Sequence, residues 1–253
     1  MNKTTIIATW IAQPKWENGW PILHGAHQIP RPSVWLINPE LTHRVVGHQY
    51  GRMLSDDELT RASRFHQPAH RIRYKTTHTA LRMLLAGATQ LNAETLRFSA
   101  GHQNKPTLSN AQQYSVTFNL SYTEGRSLIG VADGAAIGVD IEWSRRPIVI
   151  DDMLAACFSP NEIDYITARQ HDMHYRFFTL WTRKEAILKL TGEGIGEHLP
   201  FFEVMDGTSF AEKKIIGGNP PDRVYLYSFH IGDGYVGCYA TTESLDRLQV
   251  YQL

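Results

Sequence analysis

Cysteine is scarce in this 253-residue chain: Cys157 and Cys238 are the only two, and neither lies in a Cys-x-x-Cys or Cys-x-x-His spacing. That count and spacing argue against a disulfide framework and a structural zinc site, and point to a reducing compartment. Long apolar runs are missing too. None approaches the roughly 20 residues needed to cross a bilayer, so no membrane association is expected. The first residues hold a short apolar stretch interrupted by threonine and no small-x-small cleavage pattern, which predicts no signal peptide and a cytoplasmic location. The third shortage is net charge, with Lys plus Arg at 25 and Asp plus Glu at 25. A polyanion-coating protein rests on a large positive excess, so no nucleic-acid partner is expected. The 42% hydrophobic content is that of a globular chain able to bury a sizeable core, not of an acidic disordered one.

The zero sum hides an asymmetry. Residues 1–100 carry 12 basic and 6 acidic residues, and residues 101–253 carry 13 and 19. The excess is local: six basic residues lie between Arg61 and Arg82 with no acid among them, and His66, His70 and His78 fall in the same stretch. A basic segment in one part and surplus carboxylates in the other suit a ligand with phosphates at one end and a metal at the other. They also suit two solvated faces of opposite sign.

Residues 1–32 are rich in Trp, Pro, Gly and His without a clear period, and read as an irregular arm. Ser33–Asn38 predicts a strand stopped by Pro39. Ser55-Asp-Asp-Glu58 is a capping box opening a helix over about 56–66. Pro68 restarts a longer helix over about 69–87, with Ile72, Leu81, Leu84 and Leu85 as its apolar stripe. Strands are expected at about 95–99, 115–121 and 127–132, then a turn at Asp133-Gly134 and a strand at about 136–142. Ser159-Pro-Asn-Glu162 is a second capping box, opening a helix over about 160–170. The next helix, about 173–191, stops at Gly192. Strands at about 223–230, 235–241 and 247–251 follow. Each part holds helix and then antiparallel strands. The expected class is therefore α+β, with two similarly built lobes related by a pseudo-twofold, each a helix packed on antiparallel strands. The expected division is an arm over 1–32, a lobe over 33–135 with the basic helix, and a lobe over 136–253 with the acidic strand and the 173–191 helix.

Three segments carry residues suited to chemistry. In GVDIE (138–142), Asp140 and Glu142 share one face of a strand while Val139 and Ile141 point to the other. Such a pair suits one hard cation such as Mg²⁺, and equally a solvent-facing acidic edge. In the helix FFTLWTRKEAILKLTGEG, Glu185 precedes Lys189 by four, the spacing of an ordinary helix salt bridge. It also follows Trp181 by four and so borders the buried face, next to Lys184. One carboxylate there, brought near Asp140 and Glu142, would complete a three-carboxylate site. The basic helix from Arg61 to Arg82 suits phosphates or plain solvation. Lys105-Pro106 after Gly101 is, alone, a turn.

Together these pieces resemble the 4′-phosphopantetheinyl transferases, specifically the two-lobed surfactin-synthetase-activating type. GVDIE (138–142) and WTRKEAILKLTGEG (181–194) are similar to that family's two signatures at the expected separation. FNLS (118–121), CFSPNEI (157–163) and SRFHQPAHRIRY (63–74) resemble its other segments, so the resemblance covers about 60–250. It implies transfer of the phosphopantetheine arm of coenzyme A onto a serine of an apo acyl or peptidyl carrier protein, with release of adenosine 3′,5′-bisphosphate. It further implies Mg²⁺ on Asp140, Glu142 and Glu185, with Glu185 activating the serine directly or through a water. Lys189 would contact the pyrophosphate. Arg64 and Arg71 would lie near the 3′-phosphate, Lys105 and Pro106 on the adenine side, and Ser121, Tyr122 and Lys184 at the coenzyme A site. Carriers of fatty-acid, polyketide or nonribosomal-peptide synthesis all fit, and the protein is expected to be a monomer. Arg145, Arg146 and Phe158 are candidates for carrier docking, or else surface and core.

Two positions depart from the family pattern. Tyr122 stands where the family has His after the strand serine, and Asn104 where it has Gly before Lys-Pro. Both bear on coenzyme A binding. They motivate the alternative of a weak or inactive relative that binds coenzyme A or carrier protein without transfer. An unrelated metal-dependent phosphotransferase or nuclease would need both signatures to coincide by chance.

Overall fold

The computed structural model describes residues 3–11, 14–20, 22, 28–101, 105–110, 113–194, 196–216 and 220–253. In chain order the strands are β1 (Lys3–Trp10), β2 (Glu17–Asn18), β3 (Ser33–Ile37), β4 (Phe98–Ala100), β5 (Pro106–Leu108), β6 (Val116–Thr123), β7 (Arg126–Asp133), β8 (Ile137–Trp143), β9 (Gly207–Glu212), β10 (Arg223–Ile231), β11 (Tyr235–Thr241) and β12 (Gln249–Gln252). The helices are α1 (Pro39–Val46), α2 (Tyr50–Met53), α3 (Asp56–Ser63), α4 (Pro68–Thr89), α5 (Asp151–Cys157), α6 (Pro160–Thr167), α7 (Met173–Thr191) and α8 (Lys213–Ile216). The class is α+β, as the order of elements implies.

Two five-stranded sheets form, in the orders β2-β12-β3-β7-β6 and β8-β11-β10-β1-β9. The segment β3-β7-β6 in the first has the same antiparallel pairing as β8-β11-β10 in the second, which is the internal likeness of the halves. Period-two alternation places each strand between two cores. On β3, Trp35 and Ile37 face Leu81, Leu84 and Leu85 of α4, while Val34 and Leu36 face the other sheet. On β8, Val139 and Ile141 join that same inter-sheet core with Phe229 and Tyr239. The outer face of the second sheet packs Val224, Leu226, Val236 and Cys238 under Phe177, Leu180 and Ile187 of α7. The order of layers is thus helix, sheet, sheet, helix.

Both capping boxes form as the sequence predicts: Ser55 with Glu58 on α3, and Ser159 with Glu162 on α6. Gly192 ends α7 with φ of 80°, a left-handed stop that glycine adopts without strain. Other expectations change. The 1–32 stretch, expected to be irregular, contains β1 and β2. Thr4, Ile6 and Ala8 are buried on one face of β1, a short alternation that the surrounding Trp and Pro obscure. β1 adds to β10 in parallel, and β12 adds in parallel to β3, so each terminus lends a strand to the sheet of the opposite half. Pro39 does stop β3, but it also opens α1, capped by Asn38 Oδ1. The helix α5 was not expected; its first turn has no side-chain cap to announce it.

The strand β8 lies tightly against α7. Gly138, Asp140 and Glu142 turn toward the helix, and a Cβ on Gly138 would collide with the backbone oxygen of Ala186 and the amide nitrogen of Leu190. The glycine of GVDIE therefore serves helix–strand contact rather than a turn. Gly138→Ala is expected to destabilise the fold by about 2–3 kcal/mol, the usual scale of overpacking, lowering Tm by several degrees in a thermal melt. An unchanged Tm would show that α7 has room to retreat.

Candidate active site

Three elements converge at the junction of the sheets. β6 ends the first sheet and β8 ends the second, so each presents an unpaired edge to the other. Side chains of β6 bridge them. Asn119 Oδ1 accepts from the Val139 amide at 2.8 Å, Ser121 Oγ donates to Asp140 Oδ1 at 2.7 Å, and Thr123 Oγ1 donates to Glu142 Oε2 at 3.2 Å. The third element, α7, brings Lys189, whose ammonium donates to Asp140 Oδ1 at 2.6 Å and to Ser121 Oγ at 2.8 Å. Trp181, Glu185 and Lys189 are the half-buried positions of an otherwise buried helix segment, spaced four apart along one stripe.

The electrostatics are those of crowded carboxylates. Burial, with the charges of Asp140 and Glu142 adding to it and Lys189 opposing, raises Glu185 to about 7. Burial and the neighbouring Asp140 raise Glu142 as well, against the pull of Arg146, whose guanidinium lies 3.6 Å away. Two carboxylate oxygens, Asp140 Oδ2 and Glu185 Oε1, are buried without a hydrogen-bond partner. Desolvated carboxylate oxygens left unpaired cost free energy unless a proton or a cation meets them. Hard oxygen donors of this kind fit Mg²⁺, which takes one or two carboxylates and leaves its other positions to water and phosphate. No three His, Cys, Asp or Glu side chains are closed into a metal cage among the described residues, in keeping with Lys189 sitting on Asp140.

A pocket of about 470 Å³ opens on the opposite face of β6, lined among others by Arg61 and Phe65 of the α3 end, Arg73, Tyr74 and His78 of α4, and Tyr122. Arg73 joins the two regions: its guanidinium donates to Thr123 O at 2.8 Å and lies over the Tyr122 ring at 5.9 Å. Burial raises the Tyr122 phenol, and its hydroxyl has no partner.

The expected site residues divide accordingly. Asp140, Glu142, Glu185, Lys189 and Ser121 come together. Tyr122 and Pro106 line the pocket. Lys105 instead donates to Ile137 O at 2.9 Å and Leu190 O at 3.5 Å, tying the start of β8 to the end of α7, and burial lowers it to about 8. Arg64 and Arg71 are exposed and stand away from the pocket, where Arg61 and Arg73 are found instead. Lys184 is a correction: it is fully buried, paired with Glu162 at 2.7 Å, and donates to Leu199 O and Phe202 O at 2.6 Å each. It holds the 199–202 turn to α6 and α7 and has no path to a ligand. Phe158, 1% exposed against Phe177, is core rather than docking surface, whereas Arg145 is exposed. Asn104 lies outside the described residues. Sequence reasoning offered the basic segment as a whole without singling out Arg61 and Arg73, and missed Thr123; the alternation of Asn119, Ser121 and Thr123 was the available signal for the last.

In the metal-free protein the Glu185 carboxyl is expected to keep its proton up to about pH 7. Carbonyl-region infrared difference spectra against Glu185→Gln report that proton directly. Asp140→Asn removes a neighbouring negative charge and should lower the transition; a transition in the ordinary glutamate range in the unaltered protein would contradict the crowding described.

Comparison with known proteins bears on this geometry. The model of the 4′-phosphopantetheinyl transferase superfamily matches residues 136–240, which include β8 and α7. A putative 4′-phosphopantetheinyl transferase of Synechocystis sp. is 32% identical over 168 residues, 66% of this chain and 67% of that protein. The 4′-phosphopantetheinyl transferase HetI of Nostoc sp. is 33% identical over 146 residues, 57% of this chain and 62% of its own. The 4′-phosphopantetheinyl transferase Sfp of Bacillus subtilis is 28% identical over 186 residues, covering 72% and 79% of the two chains.

Proposed function

Because the chain belongs to the 4′-phosphopantetheinyl transferase superfamily, we propose that it transfers the 4′-phosphopantetheine arm of coenzyme A to a serine of an apo acyl or peptidyl carrier protein. Adenosine 3′,5′-bisphosphate is released, and the reaction depends on Mg²⁺. The observation that carries this reading is the pair of buried, unpartnered oxygens on Asp140 and Glu185 beside Lys189. Asp140, Glu142 and Glu185 would hold the cation, which when bound neutralises the pyrophosphate and polarises the bond to the transferred phosphorus.

The rest falls to the chain's own residues. In the transfer, the carrier serine oxygen bonds to the β-phosphorus of coenzyme A as the bond to adenosine 3′,5′-bisphosphate breaks. Glu185 would take the serine proton, directly or through a water, as a positioned carboxylate can in general-base work. Lys189 turns from Asp140 and Ser121 to the phosphate oxygens, where charge develops on the departing group. Arg61 and Arg73 give the pocket on the first sheet its positive charge and would hold the nucleotide phosphate. The lobe over 33–135 would thus bind coenzyme A, and the lobe over 136–253 would carry the metal carboxylates. Exposed Arg145 at the end of β8 offers a cation to an acidic carrier domain.

Incubation with coenzyme A, Mg²⁺ and an apo carrier should increase the carrier mass by one phosphopantetheine. Glu185→Gln is expected to reduce the rate by roughly 10²–10⁴-fold, the range of a lost general base, and chelation of Mg²⁺ to stop it. Binding of coenzyme A without mass gain on any of several carriers would instead favour the non-transferring alternative.

A further inference from the structure

Arg146 has no part in the transfer described above, yet it bears on one of the carboxylates assigned to the cation. β8 ends at Trp143, and the chain then doubles back. The Ser144 amide and hydroxyl donate to Gly234 O at 2.8 and 2.6 Å, and the Arg146 amide donates to Trp143 O at 3.0 Å. This turn returns the Arg146 side chain to Glu142, four residues earlier, where Nη1 lies 3.6 Å from Oε2. Thr123 Oγ1 donates to the same oxygen at 3.2 Å. The guanidinium also lies over the Phe178 ring of α7 at 5.3 Å.

The hold is loose. A separation of 3.6 Å exceeds hydrogen-bond reach, and Arg146 Nε is buried without a partner. The Arg146 side chain is 40% exposed and that of Glu142 only 14%. The arginine can therefore swing into solvent, while the glutamate is kept at the seam by Thr123. A partly exposed ion pair of this kind adds little to stability, so parting it is easy.

The neighbouring cations are placed differently. Arg183 is bound by Ser228, Val204 O and Asp206, and Lys184 by Glu162. Arg145 is exposed, its side chain laid against Gly234 of the β10–β11 turn. That leaves Lys189 on Asp140 and Arg146 on Glu142, one cation of the chain for each carboxylate of β8. A guanidinium and a divalent ion repel each other across a single carboxylate.

We propose that Arg146 is a positioning residue that occupies Glu142 in the empty protein and leaves it when a divalent cation enters, so that it sets the affinity of the site for that cation. This rests on the Mg²⁺ reading above and adds to it a resting state. In that state Lys189 and Arg146 stand in for the cation on Asp140 and Glu142.

Titration of the full chain with Mn²⁺, which takes the same oxygen donors as Mg²⁺, reads affinity through the electron paramagnetic resonance of the free ion, without coenzyme A present. Arg146→Met should tighten binding about ten-fold, the scale of one unit charge removed from beside a divalent ion in a water-like dielectric. A merely structural role would loosen it. Arg146→Lys keeps the charge and should bind as the unaltered protein does. Arg145→Met removes an exposed charge from the same turn and should change nothing. Equal or weaker binding by Arg146→Met overturns this proposal alone, and so does equal tightening by Arg145→Met. If Arg146→Met does not fold, a crystal structure of the unaltered protein with Mn²⁺ decides. Arg146 withdrawn from Glu142 supports the proposal, and Arg146 still against Glu142 beside a bound cation overturns it. Failure of every form to bind Mn²⁺, with coenzyme A and without, overturns the Mg²⁺ reading and this assignment with it.

Discussion

The contact between the free edges of β6 and β8 is the constraint on which the site depends. Two sheets that end in unpaired strands each carry a row of unsatisfied backbone groups. Here the edges do not join by a backbone ladder. Polar side chains of β6 cross the gap instead, Asn119 capping the Val139 amide while Ser121 and Thr123 hold the carboxylates of Asp140 and Glu142. The seam is thus dry on its inter-sheet side, where Val139 and Ile141 pack, and polar on the side that faces α7.

That arrangement assembles charges that would not otherwise share a space. Asp140 is 4% exposed, with Glu142 and Glu185 raised beside it. Lys189 answers part of this on Asp140 Oδ1, while Asp140 Oδ2 and Glu185 Oε1 stay without a hydrogen-bond partner among the described residues. The close approach of α7 at Gly138 sets how near Glu185 comes to the strand. The neighbouring Arg183 and Lys184 belong to the scaffold: Arg183 is tied to Ser228, Val204 O and Asp206, and Lys184 to Glu162. Of the consecutive charged residues 183–185, Glu185 is the one set beside Asp140 and Glu142. Arg73 then links this region to the pocket on the other face of β6 through the Thr123 carbonyl.

Much of this was legible in the sequence, for identifiable reasons. The capping boxes at Ser55 and Ser159, the alternation in GVDIE and the stop at Gly192 are local signals, and local geometry answered them. The pairing of Asp140 with Glu142 followed from strand spacing, whereas the roles of Glu185 and Lys189 came from the resemblance to the transferases. What was not legible depended on tertiary placement. Nothing local says that β1 joins β10 or that β12 joins β3. The burial of Lys184 comes from the 199–202 turn folding over it, and that of Phe158 from its packing against Phe177. Arg64 and Arg71 came from the resemblance to the family's basic segment; the pocket is lined by Arg61 and Arg73 instead.

On the proposed function, the β6–β8 seam and α7 together form a cation site completed by coenzyme A. A crystal structure of the protein with Mg²⁺ and coenzyme A tests it most directly. The cation is expected against Asp140 Oδ2 and Glu185 Oε1, with Lys189 moved from Asp140 to a phosphate oxygen. A cation bound away from these carboxylates, or Lys189 still held by Asp140 with the nucleotide in place, would contradict it.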